Sequence, residues 1–77
     1  MRYLENMIKK YCLSQSDFSN ICGISRRHIN ALIRGHHDPY PHTIKRLAMA
    51  LSTLDGGDWL EHAQKIRGEL WVMELLN

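Results

Sequence analysis

Cysteine is nearly absent from this chain: Cys12 and Cys22 are the two in 77 residues, and no Cys-x-x-Cys pair occurs. That scarcity argues against a zinc ribbon or finger and against a disulfide scaffold. In a reducing compartment both thiols read as small buried hydrophobes. No run of about 18 apolar residues is present, which excludes a membrane-spanning helix. The opening Met1-Arg2-Tyr3-Leu4-Glu5-Asn6 lacks the apolar centre of a signal peptide, so a cytoplasmic protein is expected. No strand signal, repeat or low-complexity segment appears. No nucleophile–base pair, carboxylate pair or metal-ligand set stands out, so neither an enzyme nor a cofactor is expected.

What is present is an ordinary balance of 44% apolar and 23% charged residues in a length that suits one domain. A chain this short buries only about 60% of the surface its unfolded form exposes, so a partner chain would help it. The net charge of +2 is unevenly spread. Residues 24–46 carry Arg26, Arg27, Arg34, Lys45 and Arg46 against Asp38 alone, a surplus of four. Residues 47–77 carry Lys65 and Arg67 against five carboxylates, a deficit of three. A basic middle suits a phosphate backbone, and an acidic end would be kept away from one.

Apolar spacing predicts five helices. Leu4, Met7, Ile8, Tyr11 and Cys12 mark an amphipathic helix over about residues 2–11. Ser14, with Asp17 three positions on, forms a capping-box pattern for a second helix from Gln15 to Cys22, with Phe18, Ile21 and Cys22 on one face. Gly23 suits the left-handed position after it. Ser25 caps a third helix over residues 26–34 with Ile29, Leu32 and Ile33 inward, stopped by Gly35. Pro41 can open a fourth helix over residues 41–51, where its missing N–H costs nothing. Residues 52–57 read as a linker, and Asp58 caps a fifth helix that Gly68 marks for a kink or a break.

The second and third helices have the parts of a helix-turn-helix. Phe18, Cys22, Ile24, Ile29 and Leu32 supply apolar contacts, Ser19 is the small residue at the crossing, and Gly23 tolerates positive φ in the turn. The third helix opens on Arg26 and Arg27. Arg26, Asn30 and Arg34 follow i, i+4, i+8 spacing opposite Ile29 and Leu32. Arginine can grip guanine bidentately and asparagine can do the same for adenine.

Leu13-Ser14-Gln15, Gly23-Ile24-Ser25, Ile29, Leu32, Gly35, Pro39 and the run from Thr43 to Leu51 resemble the lambda-repressor-like (Cro/XRE) helix-turn-helix family over about residues 4–51. The resemblance implies an all-α, five-helix DNA-binding domain acting on a palindromic operator, usually as a dimer. It implies base reading by Arg26, Arg27 and Asn30. It places Gln15, which would also brace the third helix, with Ser25, His28, Arg34, His36 and His37 along the DNA backbone. Two positions depart from the family pattern. Cys12 stands where glycine is common, so the first helix is expected to end differently. Ile33 stands where glutamate is common, and is expected to extend the core. His36, His37 and His42 surround one loop without metal-ligand spacing and read as polar loop residues, and His62 reads as surface.

Residues 1–54 form the DNA-binding core of this reading, and residues 55–77 a C-terminal helix of the same domain. In that helix Trp59, Ala63, Ile66, Leu70 and Met73 make one apolar stripe, which Leu60 widens. Trp71, Val72, Leu75 and Leu76 project from the other sides, so the end is apolar nearly all round. A homodimer through Trp59, Leu70, Trp71, Met73, Leu75 and Leu76 is expected, matching the two-fold symmetry of a palindromic site on double-stranded DNA. The expected function is a dimeric repressor of a phage, plasmid or mobile-element operon. The alternatives are an antitoxin whose apolar tail covers a protein partner, and an interaction module without DNA binding.

Overall fold

The computed structural model describes residues 1–36 and 39–76, with side chains described as far as Gly68. Five helices follow in order: α1 (Arg2–Lys10), α2 (Gln15–Cys22), α3 (Arg26–Ile33), α4 (Pro41–Asp55) and α5 (Trp59–Leu76). No strand occurs among the described residues. Among the described residues the largest fully buried side chains are Leu4 from α1, Phe18 from α2, Ile29 and Leu32 from α3, Leu47 and Leu51 from α4, and Ile66 from α5. Each contributes roughly 1.5–3 kcal/mol by leaving water, and because every helix supplies at least one, none can leave without opening the others. Ile33 is half-buried against this cluster, as its apolar character predicts.

Local chemistry sets the helix ends. Ser14 and Asp17 close a reciprocal capping box: the Asp17 N–H donates to Ser14 Oγ at 3.0 Å and the Ser14 N–H donates to the Asp17 carboxylate at 3.1 Å. The Ser14 backbone N–H, and after it the Ser14 hydroxyl, hold the Asp17 carboxyl below its ordinary pKa. Gly23 sits at φ 72° directly after α2, and Gly35 at φ 76° after α3. The α-ammonium of Met1 donates to the Ile33 carbonyl at 3.0 Å, placing a cation at the C-terminal end of α3, where the helix dipole favours one.

Cys12 is exposed rather than buried. It takes φ 54°, and the two hydrogen bonds around it, Leu13 N–H to Ile8 carbonyl at 3.1 Å and Cys12 N–H to Lys9 carbonyl at 3.0 Å, close α1 in a Schellman motif. The same pair of bonds closes α3 around Gly35, from His36 to Ala31 and from Gly35 to Leu32. The first helix therefore keeps the glycine-type ending with a residue that carries a Cβ.

Three further expectations are corrected. Helix α4 continues to Asp55, so most of the expected linker is helical and only residues 56–58 connect α4 to α5. Leu54 carries the apolar period one turn beyond Leu51, and Gly56 at φ 71° is the first residue to leave the helix. Ile21 is 41% exposed and Leu60 51% exposed, so neither joins the buried face. Both lie at the flank of an apolar stripe, and the core is too small to reach the flank. Helix α5 runs unbroken through Gly68, and a Cβ there would meet nothing within 4 Å.

The largest correction is His62, which is buried at 5% exposure. It lies between Trp59 and Ile66 on the inward side of α5. Its Nε2 is 2.7 Å from the Asp55 carboxylate and its Nδ1 is 2.6 Å from the Tyr3 hydroxyl. A carboxylate can only accept, so Nε2 carries the proton. Neutral Nδ1 then accepts from the tyrosine hydroxyl, and protonated Nδ1 donates to it. Both ring nitrogens are satisfied in either charge state, which lets an imidazole tie α1, α4 and α5 together inside the fold. Lys65 lies over the same tyrosine ring at 5.6 Å.

Two outcomes follow. Cys12→Gly relieves the left-handed strain and is expected to raise unfolding stability by about 1 kcal/mol in urea titration; an unchanged or lower midpoint contradicts it. The Asp55 carboxyl is held below its ordinary pKa, first by the Gly57 N–H at 2.8 Å and then by the charge and hydrogen bond of His62 and the charge of Lys10. A lowered carboxyl stabilises the fold above its unfolded pKa of about 3.9, and that stabilisation disappears as pH falls through the folded value. Asp55→Asn should therefore flatten the loss of stability below about pH 4, and an acid limb identical to that of the parent chain would show otherwise.

Candidate nucleic-acid interface

Helix α3 is framed on three sides. Helix α2 crosses it, α4 flanks its N-terminal end through the Gly23 turn, and α1 packs against it. Ser25 starts it by accepting the His28 N–H at 3.2 Å. The turn before it is fixed twice: the Ser19 hydroxyl donates to the Ile24 carbonyl, and the Arg46 guanidinium reaches the Gly23 carbonyl at 3.4 Å. Ser19 thus works as a tie as well as a small residue. Cys22, beside the turn, is buried, and that burial pushes its thiol pKa up, so it stays a neutral apolar group.

With Ile29 and Leu32 buried, the opposite face of α3 is left to polar side chains. Arg26, Arg27 and Arg34 are exposed, Arg34 as the residue that closes the helix. Arg26, Arg27 and Asn30 line a surface hollow of about 400 Å³. Asn30 is half-buried, and its Nδ2 donates to Gln15 Oε1 at 3.0 Å. This bond crosses from the first residue of α2 to the middle of α3 and fixes the asparagine amide before any ligand arrives. One Nδ2 proton is spent on Gln15, while Oδ1 and the second proton remain for a base edge. Gln15 keeps its own amide NH2 for another acceptor.

The remaining sequence-derived residues are distributed as follows. Ser25 and His28 stand at the first turn of α3, Gln15 stands beside Asn30, and His36 is exposed in the turn after Gly35. His37 lies outside the described residues. Trp59 is half-buried at the start of α5, with Lys45 5.5 Å above its ring. The side chains of Leu70, Trp71, Met73, Leu75 and Leu76 lie outside the described residues. In the sequence Arg46 stands in the charge surplus and in the family-like run from Thr43 to Leu51, with no role of its own. Its place at the α2–α3 turn depends on how α4 packs, which no local pattern reports. Among the described residues no group of three or more His, Cys, Asp or Glu is placed to hold a metal ion, and no helix is long and apolar enough to cross a membrane.

A protein-family model described as helix-turn-helix matches residues 4–55, which spans α1 to the end of α4. No curated protein and no solved structure matches the chain significantly.

The Gln15–Asn30 bond gives a direct expectation. Gln15→Ala should leave the fold intact, release the Asn30 side-chain amide into fast exchange by NMR, and weaken binding to a preferred duplex by about 1 kcal/mol. An Asn30 amide as ordered as before would show that Gln15 does not hold it.

Proposed function

Because the chain belongs to the Cro/XRE-type helix-turn-helix family, and so is a DNA-binding transcription regulator, we propose that it is a dimeric, sequence-specific repressor of a phage, plasmid or mobile-element operon. The observation that carries this reading is the polar face of α3: two exposed arginines at its first turn beside an asparagine already fixed by α2. Arg26 and Arg27 sit where a helix in the major groove meets base edges, and their bidentate geometry suits guanine O6 and N7. Asn30, preset by Gln15, suits adenine. Ser25, His28, Arg34, His36 and His37 extend the contact along the backbone.

A single short helix reads few base pairs, so specificity calls for a second copy at fixed spacing. The apolar residues of the C-terminal part, with Trp59 at the start of α5 and Leu70, Trp71, Met73, Leu75 and Leu76 beyond, support a two-fold dimer on a palindromic operator.

Arg26→Ala or Arg27→Ala is expected to cost about 1–3 kcal/mol on the preferred duplex and to relax base preference at one position. Unchanged affinity in both variants, measured by fluorescence anisotropy, would remove these residues as readers. Trp71→Asp combined with Leu75→Asp should give a monomer by sedimentation that retains half-site binding and loses most full-site affinity. An intact dimer would reject this interface.

A further inference from the structure

The first turn of α3 has two flanks. One meets α2 through Asn30 and Gln15. The other meets α4, and between them lies a second hollow of about 290 Å³, lined by residues that include Gly23, Ser25, His28, His42 and Arg46. Its charge pattern has one sign. Arg46 is always cationic, and among the described residues no carboxylate lines the hollow. Arg46 has no ion-pair partner among the described residues. Among the described residues its one hydrogen bond is the long reach to the Gly23 carbonyl, which positions the guanidinium and leaves its other donors available. The His42 ring stacks on Tyr40, centroids 5.7 Å apart and planes within 6°, so its orientation is also set. Tyr40 offers no side-chain cap to α4 and Pro41 brings no N–H, so the His42 N–H opens this 15-residue helix without an acceptor inside it.

We infer that this hollow holds a backbone phosphate of the bound DNA, on the strand opposite the one that Gln15 faces, with Arg46 and His42 as its main donors. The inference rests on the DNA-binding reading above and adds to it a second grip. A helix lying in the major groove stands between two sugar–phosphate walls about 12 Å apart, close to its own diameter of about 10–12 Å. Base-facing residues occupy the outward face of α3, so phosphates arrive at its flanks. A cation-lined hollow on the α4 flank, sharing the first turn of α3 with the Arg26–Arg27–Asn30 hollow, stands where the second wall passes. Phosphate contacts of this kind fix register and carry no sequence information.

The test compares the full chain with Arg46→Gln and, separately, with His42→Asn. Binding to a selected duplex and to an unrelated one is measured across a range of salt. Arg46→Gln should weaken both duplexes by the same factor, about tenfold, and reduce the slope of log K against log salt by about one. His42→Asn, at an exposed position, should weaken both by a smaller equal factor, and it carries the comparison if Arg46→Gln does not fold. A neutral methylphosphonate scanned along the duplex should weaken the parent chain at one position per half-site where Arg46→Gln shows no further loss. Unchanged affinity and slope in both variants would overturn the inference, as would a loss confined to the selected duplex, which would make Arg46 a base reader. If the parent chain binds neither duplex, the DNA reading itself fails. Titration with inorganic phosphate, followed by the His28 and His42 ring resonances, then separates the cases. A saturating shift abolished by Arg46→Gln would mean an anion site for free phosphate rather than DNA, and no shift would mean no anion site.

Discussion

The joint burial of Phe18, Ile24, Ile29 and Leu32 against Leu47 and Leu51 is the constraint on which the rest of this fold depends. It sets the angle between α2 and α3, because both helices must present their one apolar face to the same small core. Once that angle is fixed, the polar side of α3 has no choice but to point outward. Gly23 allows the chain to turn sharply enough between the helices, and Ser19 and Arg46 tie the turn from two sides. The readable face is a consequence of packing behind it, so a loss of core packing would move Arg26, Arg27 and Asn30 together.

The side of the molecule away from α3 is organised by a different kind of interaction. Tyr3, His62 and Asp55 link α1, α5 and α4 through two short hydrogen bonds to the buried imidazole. Such an arrangement is worth little net energy per bond but is expensive to leave half-made, since the buried imidazole would keep an unsatisfied ring nitrogen. It therefore fixes where α5 starts its run along the domain. In the proposed dimer, that direction would set the separation of the two α3 helices and hence the spacing of the half-sites.

The sequence made the α2–turn–α3 segment legible because its signals are local. The Ser14–Asp17 capping box, Gly23, Ser25 and Gly35 each report on residues within one turn of themselves, and the helix bounds read from them agree closely with the fold. Family membership was legible for the same reason, and over nearly the same span. What escaped were features decided by distant partners. His62 looked like surface because its acceptor and donor, Asp55 and Tyr3, lie in other helices, one of them 59 positions away. Ile21 and Leu60 looked buried because periodicity shows a stripe but not how far the core extends beneath it. Cys12 looked like a core thiol by periodicity, and the glycine common at its place in the family, rather than its own chemistry, marks the left-handed ending that it keeps. The candidate site divides in the same way. Arg26 and Asn30 stand out from spacing, and the family resemblance adds Arg27 and a bracing role for Gln15, whereas the Asn30 partner of Gln15 and the position of Arg46 follow from how α2 and α4 pack on α3.

The central claim is that two copies of α3, each preset by its own domain, read one pseudo-palindromic duplex. Selection of bound duplexes from a random pool tests it most directly. The expected result is enrichment of two inverted half-sites about one helical turn apart, each containing guanines and an adenine in a fixed order. Enrichment of a single unpaired site, or no enrichment over the starting pool, would contradict it.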